Sequence, residues 1–300
     1  MKLCAVSGKE FRIMEDVGPD LISKAKDEFD FLWLDVESIS PQNEKLLKDV
    51  FVIDRSGGPR VDITGDYNIL LLGYYDDYIR KEIQVYFSDS FTVTVHQGPD
   101  GVCDEVLASM NEMMLSGRPT SERLIYGFFQ GALEKDQQQL ASLDSGFRGL
   151  VSQIRAGQVD LGRMFAFKDK IRGLGRVVAD TKGQLSDIAL EAEPLQFIEH
   201  PDIFKVHYAQ FAALSRGLGE LQELSEELME KSISSLWRVL SGTRRIAGGL
   251  SFLSLALASA VLYLVLWPKD LFGISSLYIF PLIVIIGLVG FLLMQRRISL

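Results

Sequence analysis

The sequence predicts an α+β cytosolic domain, a long helical stalk and two C-terminal transmembrane helices. Three observations carry that prediction. Runs rich in aromatic and branched residues crowd the first 117 residues, Leu and Phe then recur at helical spacing, and two uncharged apolar runs close the chain. The expected divisions are 1–117 for the α+β domain, 118–245 for the stalk and 246–300 for a transmembrane hairpin.

FLWLDV (31–36), YNILLLGYY (67–75), EIQVYF (82–87) and FTVTV (91–95) are bounded by Asp, Gly and Ser and read as strands. The last three lie close together, which predicts antiparallel neighbours. VCDEVLASMNEMML (102–115) reads as a helix, and Gly117-Arg118-Pro119 breaks the chain after it. Beyond Ser121, Leu133, Leu140, Leu143, Phe147, Leu150 and Ile154 recur at sevens and at threes and fours. A second stalk helix is expected from about Asp160 to Glu191, ending before Pro194. A third begins near Pro201, with Phe211, Leu214, Leu218, Leu221 and Leu228 on one stripe. No Pro interrupts it before Pro268. It is therefore expected to pass unbroken into the membrane, a helix on the order of 90 Å long that needs partner helices to be stable.

The run from Ile246 to Trp267 has no charged residue, nor does the run from Leu277 to Met294. Roughly 20 such residues cross the hydrocarbon core of a bilayer. Arg244 and Arg245 precede the first run, and Arg296 and Arg297 follow the second. Positive flanks stay on the cytosolic side, so both termini are expected inside, with Tyr263, Trp267 and Tyr278 at the outer interface. This is the pattern of a multi-pass protein of the cytoplasmic membrane.

Charge narrows the function. Residues from Trp237 onward carry a net +5, which leaves −14 on residues 1–236 of a chain whose total is −9. An acidic soluble part excludes nucleic acid as a partner, because phosphate binding needs clustered Lys and Arg. It suits cations. Cys4 and Cys103 have no close Cys or His in sequence, which argues against a zinc site built on them. His96 stands at a strand end without an obvious partner and reads as structural. The N-terminus has no apolar run long enough for a signal peptide. No phosphate loop, HExxH or nucleophile elbow is present, so the chain does not read as an enzyme and calls for no cofactor.

The order of these parts resembles the CorA superfamily of metal-ion transporters. WLDVE (33–37) is similar to the family's early Trp-containing strand. PRVDITGDYNILLLGYYDD (59–77) is similar to its basic residue followed by two strands, and the Pro194 to Pro201 spacing also matches. The resemblance covers nearly the whole chain. It implies a homopentamer whose first span lines a pore for divalent metal ions, with the ion as substrate or regulator. On that span Ala247, Ser251, Ser254, Ala258, Val261 and Val265 repeat at four and three. Ser251 and Ser254 would replace part of an ion's hydration shell, and Val261 and Val265 would form a hydrophobic constriction. Small residues in such a stripe equally permit close helix packing. By the same resemblance, Asp54 falls at a regulatory metal site on the protomer boundary, and His207 stands where its acidic partner is expected.

One departure bears on the ion. The family places Gly-Met-Asn at the end of the first span, where this chain has Leu266-Trp267-Pro268-Lys269-Asp270. Trp267, Lys269 and Asp270 thus stand at the expected outer entrance. With the magnesium signature missing and an imidazole at His207, zinc is favoured over magnesium. The alternative is a CorA-like membrane sensor or scaffold that does not transport.

Overall fold

The computed structural model describes residues 1–8, 10–53, 66–116, 119–190, 197–266 and 285. Contacts divide the chain into two compact units, Met1–Glu227 and Leu228–Leu300.

Six strands form one sheet in the first unit: β1 (Lys2–Ser7), β2 (Glu10–Glu15), β3 (Phe31–Val36), β4 (Asn68–Asp76), β5 (Ile79–Phe87) and β6 (Phe91–His96), in the order β2-β1-β3-β6-β5-β4. β4, β5 and β6 are antiparallel neighbours, as their closeness in sequence predicts. Only β3 and β6 run parallel, with Trp33 opposite Thr92 and Asp35 opposite Thr94. The β1–β2 hairpin and the helices α1 (Pro19–Glu28) and α2 (Pro41–Phe51) were not foreseen from sequence.

Strand alternation builds two cores. On one face Leu3, Ala5, Leu32, Leu34, Val36, Val93 and Val95 pack against Ile22 of α1 and Leu46 and Leu47 of α2. On the other, Val6, Trp33, Leu72, Tyr74, Ile83 and Val85 meet α3 (Gly101–Ser116), α4 (Ser121–Arg155), α5 (Leu161–Leu190) and the start of α6 (Phe204–Leu266). The sheet is therefore a middle layer between two helical layers. The sheet and the helices after residue 117 share one core.

Local signals set the helix ends. Asp100 Oδ1 accepts from Val102 N and Cys103 N, both at 3.0 Å, and so caps α3. Thr120 caps α4 by accepting from Arg123 N at 3.3 Å. Gly131 of α4 lies where a Cβ would stand 2.9 Å from Val102 Cγ1, so only glycine allows α3 and α4 to approach this closely.

β4 is an edge strand, and its outward backbone groups are satisfied by helix side chains. Gln184 Nε2 donates to Leu71 O, Thr181 Oγ1 donates to Gly73 O at 3.1 Å, and Tyr75 N donates to Asp136 Oδ1 at 2.9 Å. The open edge is thereby closed against pairing with another chain. Asp136 is fully buried for this purpose, and its Oδ2 has no partner. Burial pushes its carboxyl up to about 7, against one opposing hydrogen bond from Tyr75 N.

Candidate functional site

The stripe expected to line a pore lies on α6. Ala247, Ser251, Ser254, Ala258 and Val261 are all exposed, and steps of four and three keep them on one helix face. Ser251 Oγ donates to Ala247 O at 2.9 Å, and Ser254 Oγ donates to Ser251 O at 2.8 Å. Each hydroxyl proton is thus spent on the helix, and the oxygen lone pairs are left facing away from the backbone. A face of this kind can offer oxygen ligands to a cation without losing a hydrogen bond of its own. Trp237, Val239, Leu240, Leu250, Leu255 and Leu257 of the same helix are exposed too. Large exposed apolar surface is characteristic of regions that meet lipid or other protein.

Among the described residues, no helix is long and apolar enough to cross a membrane. The side chain of Val265, the residues Trp267, Lys269 and Asp270, the run 277–294 and Asp54 all lie outside the described residues.

His207 requires a correction. It was expected as a regulatory ligand at a protomer boundary, but its side chain is fully buried inside the first unit. Its ring centroid lies 4.2 Å from that of Tyr126 and 6.5 Å from that of Phe129. Nδ1 meets Gln210 Oε1 at 3.2 Å, and Nε2 has no partner. Burial holds its pKa below the usual histidine value. The physical reason is helical spacing: His207 sits between Phe204 and Phe211, on the stripe by which α6 joins the core. His200, more exposed, meets Glu122 Oε2 at 3.3 Å instead.

His96, read from sequence as structural, is buried in the sheet. It has partners on both ring nitrogens, Asp35 Oδ1 at 3.0 Å and Gly98 O at 2.7 Å. The signal was in the sequence: Thr92, Thr94 and His96 alternate with apolar residues in β6, so three polar side chains enter the helix-covered face of the sheet.

No protein-family profile matches the chain. No curated protein matches it in sequence. Solved structures do match. The complete CorA magnesium transporter from Methanocaldococcus jannaschii is similar at a TM-score of 0.72 with 12% identity, over 99% of this chain and 98% of that one. The full-length CmaX protein is similar at 0.75 with 13% identity, over 100% and 98%. The ZntB cytoplasmic domain from Vibrio parahaemolyticus is similar at 0.51 with 11% identity, over 81% and 97%. This chain has the CorA-like fold.

Proposed function

We propose that the chain is one subunit of an oligomeric channel or transporter for divalent cations in the cytoplasmic membrane, with the stripe on α6 lining its pore. The carrying observation is that the likeness to the complete CorA structure extends over 99% of this chain, including the exposed helix that bears the stripe. In this reading 246–267 and 277–294 are the two spans, both termini are cytosolic, and five copies surround the axis. The acidic N-terminal unit attracts cations. Ser251 and Ser254 supply hydroxyl oxygens, while Val261 and Val265 gate by excluding water. Trp267, Lys269 and Asp270 stand at the outer entrance.

Zinc is favoured over magnesium. The support is the tripeptide at the outer loop, where Gly-Met-Asn is replaced by residues that include a lysine. His207 lends no support, because it is sealed in the core. A second reading keeps the fold without transport: a membrane sensor or scaffold, favoured by Arg244 and Arg245 before the first span and by Lys269 in the loop.

Reconstitution in liposomes loaded with zinc- and magnesium-sensitive dyes separates the two. Transport predicts zinc influx that Ala258→Trp abolishes and Ser254→Trp cuts severely. An assembled oligomer that passes neither ion overturns the channel reading in favour of the sensor. Influx unchanged by both tryptophans removes the stripe as the pore.

A further inference from the structure

In β6 the polar residues Thr92, Thr94 and His96 alternate with apolar ones and are all buried. Trp33 Nε1 donates to Thr94 Oγ1 at 3.0 Å, and Thr94 Oγ1 donates to Asp35 Oδ1 at 2.6 Å. The same carboxylate oxygen faces His96 Nε2 at 3.0 Å. His96 Nδ1 stands 2.7 Å from Gly98 O. A carbonyl only accepts, so Nδ1 carries a proton. Nε2 faces a carboxylate, so a proton or another cation must lie between them. Cys103, in the first turn of α3, completes the group: the ligand atoms of Asp35, His96 and Cys103 all lie within 4.8 Å of one another, and all three residues are buried.

Without a metal this group is an ion pair beside a thiol. Burial alone would lower His96, but the hydrogen bond and charge of Asp35 outweigh it and leave His96 raised. Burial likewise works against the Asp35 carboxylate, yet the hydrogen bonds from His96 and Thr94 hold it below the usual range. Burial pushes the Cys103 thiol well up.

We propose that Asp35, His96 and Cys103 form a site for one divalent cation of borderline softness, zinc above all. One carboxylate oxygen, one imidazole nitrogen and one thiolate make a zinc ligand set, whereas magnesium takes oxygen ligands. Ligand atoms around tetrahedral zinc stand roughly 3.3–3.8 Å apart, so His96 and Asp35, now 3.0 Å apart, open slightly while Cys103 comes in from within 4.8 Å. The surroundings are those of a metal-bound histidine: Nδ1–H donates to a backbone carbonyl, which fixes the tautomer that presents Nε2. Thr94 holds the carboxylate in the same way. Burial and the nearby carboxylates hold the Cys103 thiol protonated without metal, so the thiolate forms as the cation displaces its proton. Binding releases the imidazolium proton and the thiol proton. A site with one positive and one negative charge becomes one with two of each, so the buried site gains no net charge. Of the three ligands, His96 borders a surface cavity of about 520 Å³, which Lys81 and Asp100 also line. Sequence spacing argued against zinc at either cysteine; it is the fold that brings residues 35, 96 and 103 together. The site stands whether or not the protein transports.

Cobalt(II) tests it, because thiolate ligation produces a charge-transfer band and tetrahedral geometry an intense visible band. The full-length protein in detergent is titrated with cobalt and then with zinc. One equivalent should give both bands, and zinc should bleach them. Cys103→Ser should abolish the charge-transfer band. Cys4→Ala should keep it, and since the chain has only these two cysteines the thiolate is then assigned. His96→Asn should weaken binding ~10–100-fold. Cooperative melting of each metal-free variant controls for folding, and zinc should raise the melting temperature of wild type but not of Cys103→Ser. Absence of a charge-transfer band, or a band unchanged in Cys103→Ser, overturns the proposal.

Discussion

The two stretches of α6 behave as opposite kinds of surface on one helix. Between Phe204 and Leu221, the residues Phe204, His207, Phe211, Leu214, Leu218 and Leu221 are buried by the chain's own α4 and α5. Aromatic contacts with Tyr126 and Phe129 and an ion pair from Lys168 Nζ to Glu226 Oε1 at 2.7 Å hold that stretch in place. From Trp237 to Val261, residues of similar character are exposed. One stretch is covered by the rest of its own unit, and the other is exposed. Hydrophobicity alone does not tell them apart. What differs is whether the same chain supplies a partner stripe.

Phe211→Ala breaks the first half and has the largest expected effect, about 3–5 kcal/mol for deleting a fully buried aromatic ring. Thermal or denaturant unfolding of the N-terminal unit measures it. Asp136→Asn sharpens the picture of that unit. The wild-type carboxyl titrates near 7 in the fold against 3.8 unfolded. Its folded pKa is raised, so its contribution is fully present below pH ~4 and lost as pH rises through about 7, on the order of 2–4 kcal/mol in all. The Asn variant still accepts from Tyr75 N. It should therefore be more stable than wild type at pH 8 and should lack this slope.

His207→Phe tests the opposite sign. The folded pKa is depressed by burial, so stability is present above the unfolded value of 6.5 and is lost as the pH falls below it. The variant should lose that acid-side slope, and unfolding measured at pH 7 and pH 5 detects the change. Leu255→Ala, in the exposed half, has the smallest expected effect: within about 0.5 kcal/mol on the N-terminal unit. Any consequence should appear in oligomer assembly by sizing in detergent. A large drop in the N-terminal unit's own stability would erase the contrast between the halves.

Much of the framework was legible before folding. β3 falls on FLWLDV, and α5 (Leu161–Leu190) is within a residue of the 160–191 expected. Period-two alternation and leucine spacing are local, and they survive because the core they face is the one they imply. The β1–β2 hairpin and α1 were missed. KLCAVS and EFRIME are short and mix charge into apolar residues, and their strand character comes from pairing with each other and with β3.

The sequence by itself determined the strands β3 to β6 and the helices after them, the charge contrast between the two ends, the apolar C-terminal runs and the small stripe on α6. Each follows from composition or from a period that one segment carries alone. Tertiary structure decided which polar residues become sites. It sealed His207 among rings, where a charged or metal-bound imidazole finds no water. It buried Asp136 to close a sheet edge. It also brought Asp35, His96 and Cys103 from two strands and a helix into one group. Such convergence depends on the parallel register of β3 and β6 and on the docking of α3, long-range choices that no single segment encodes.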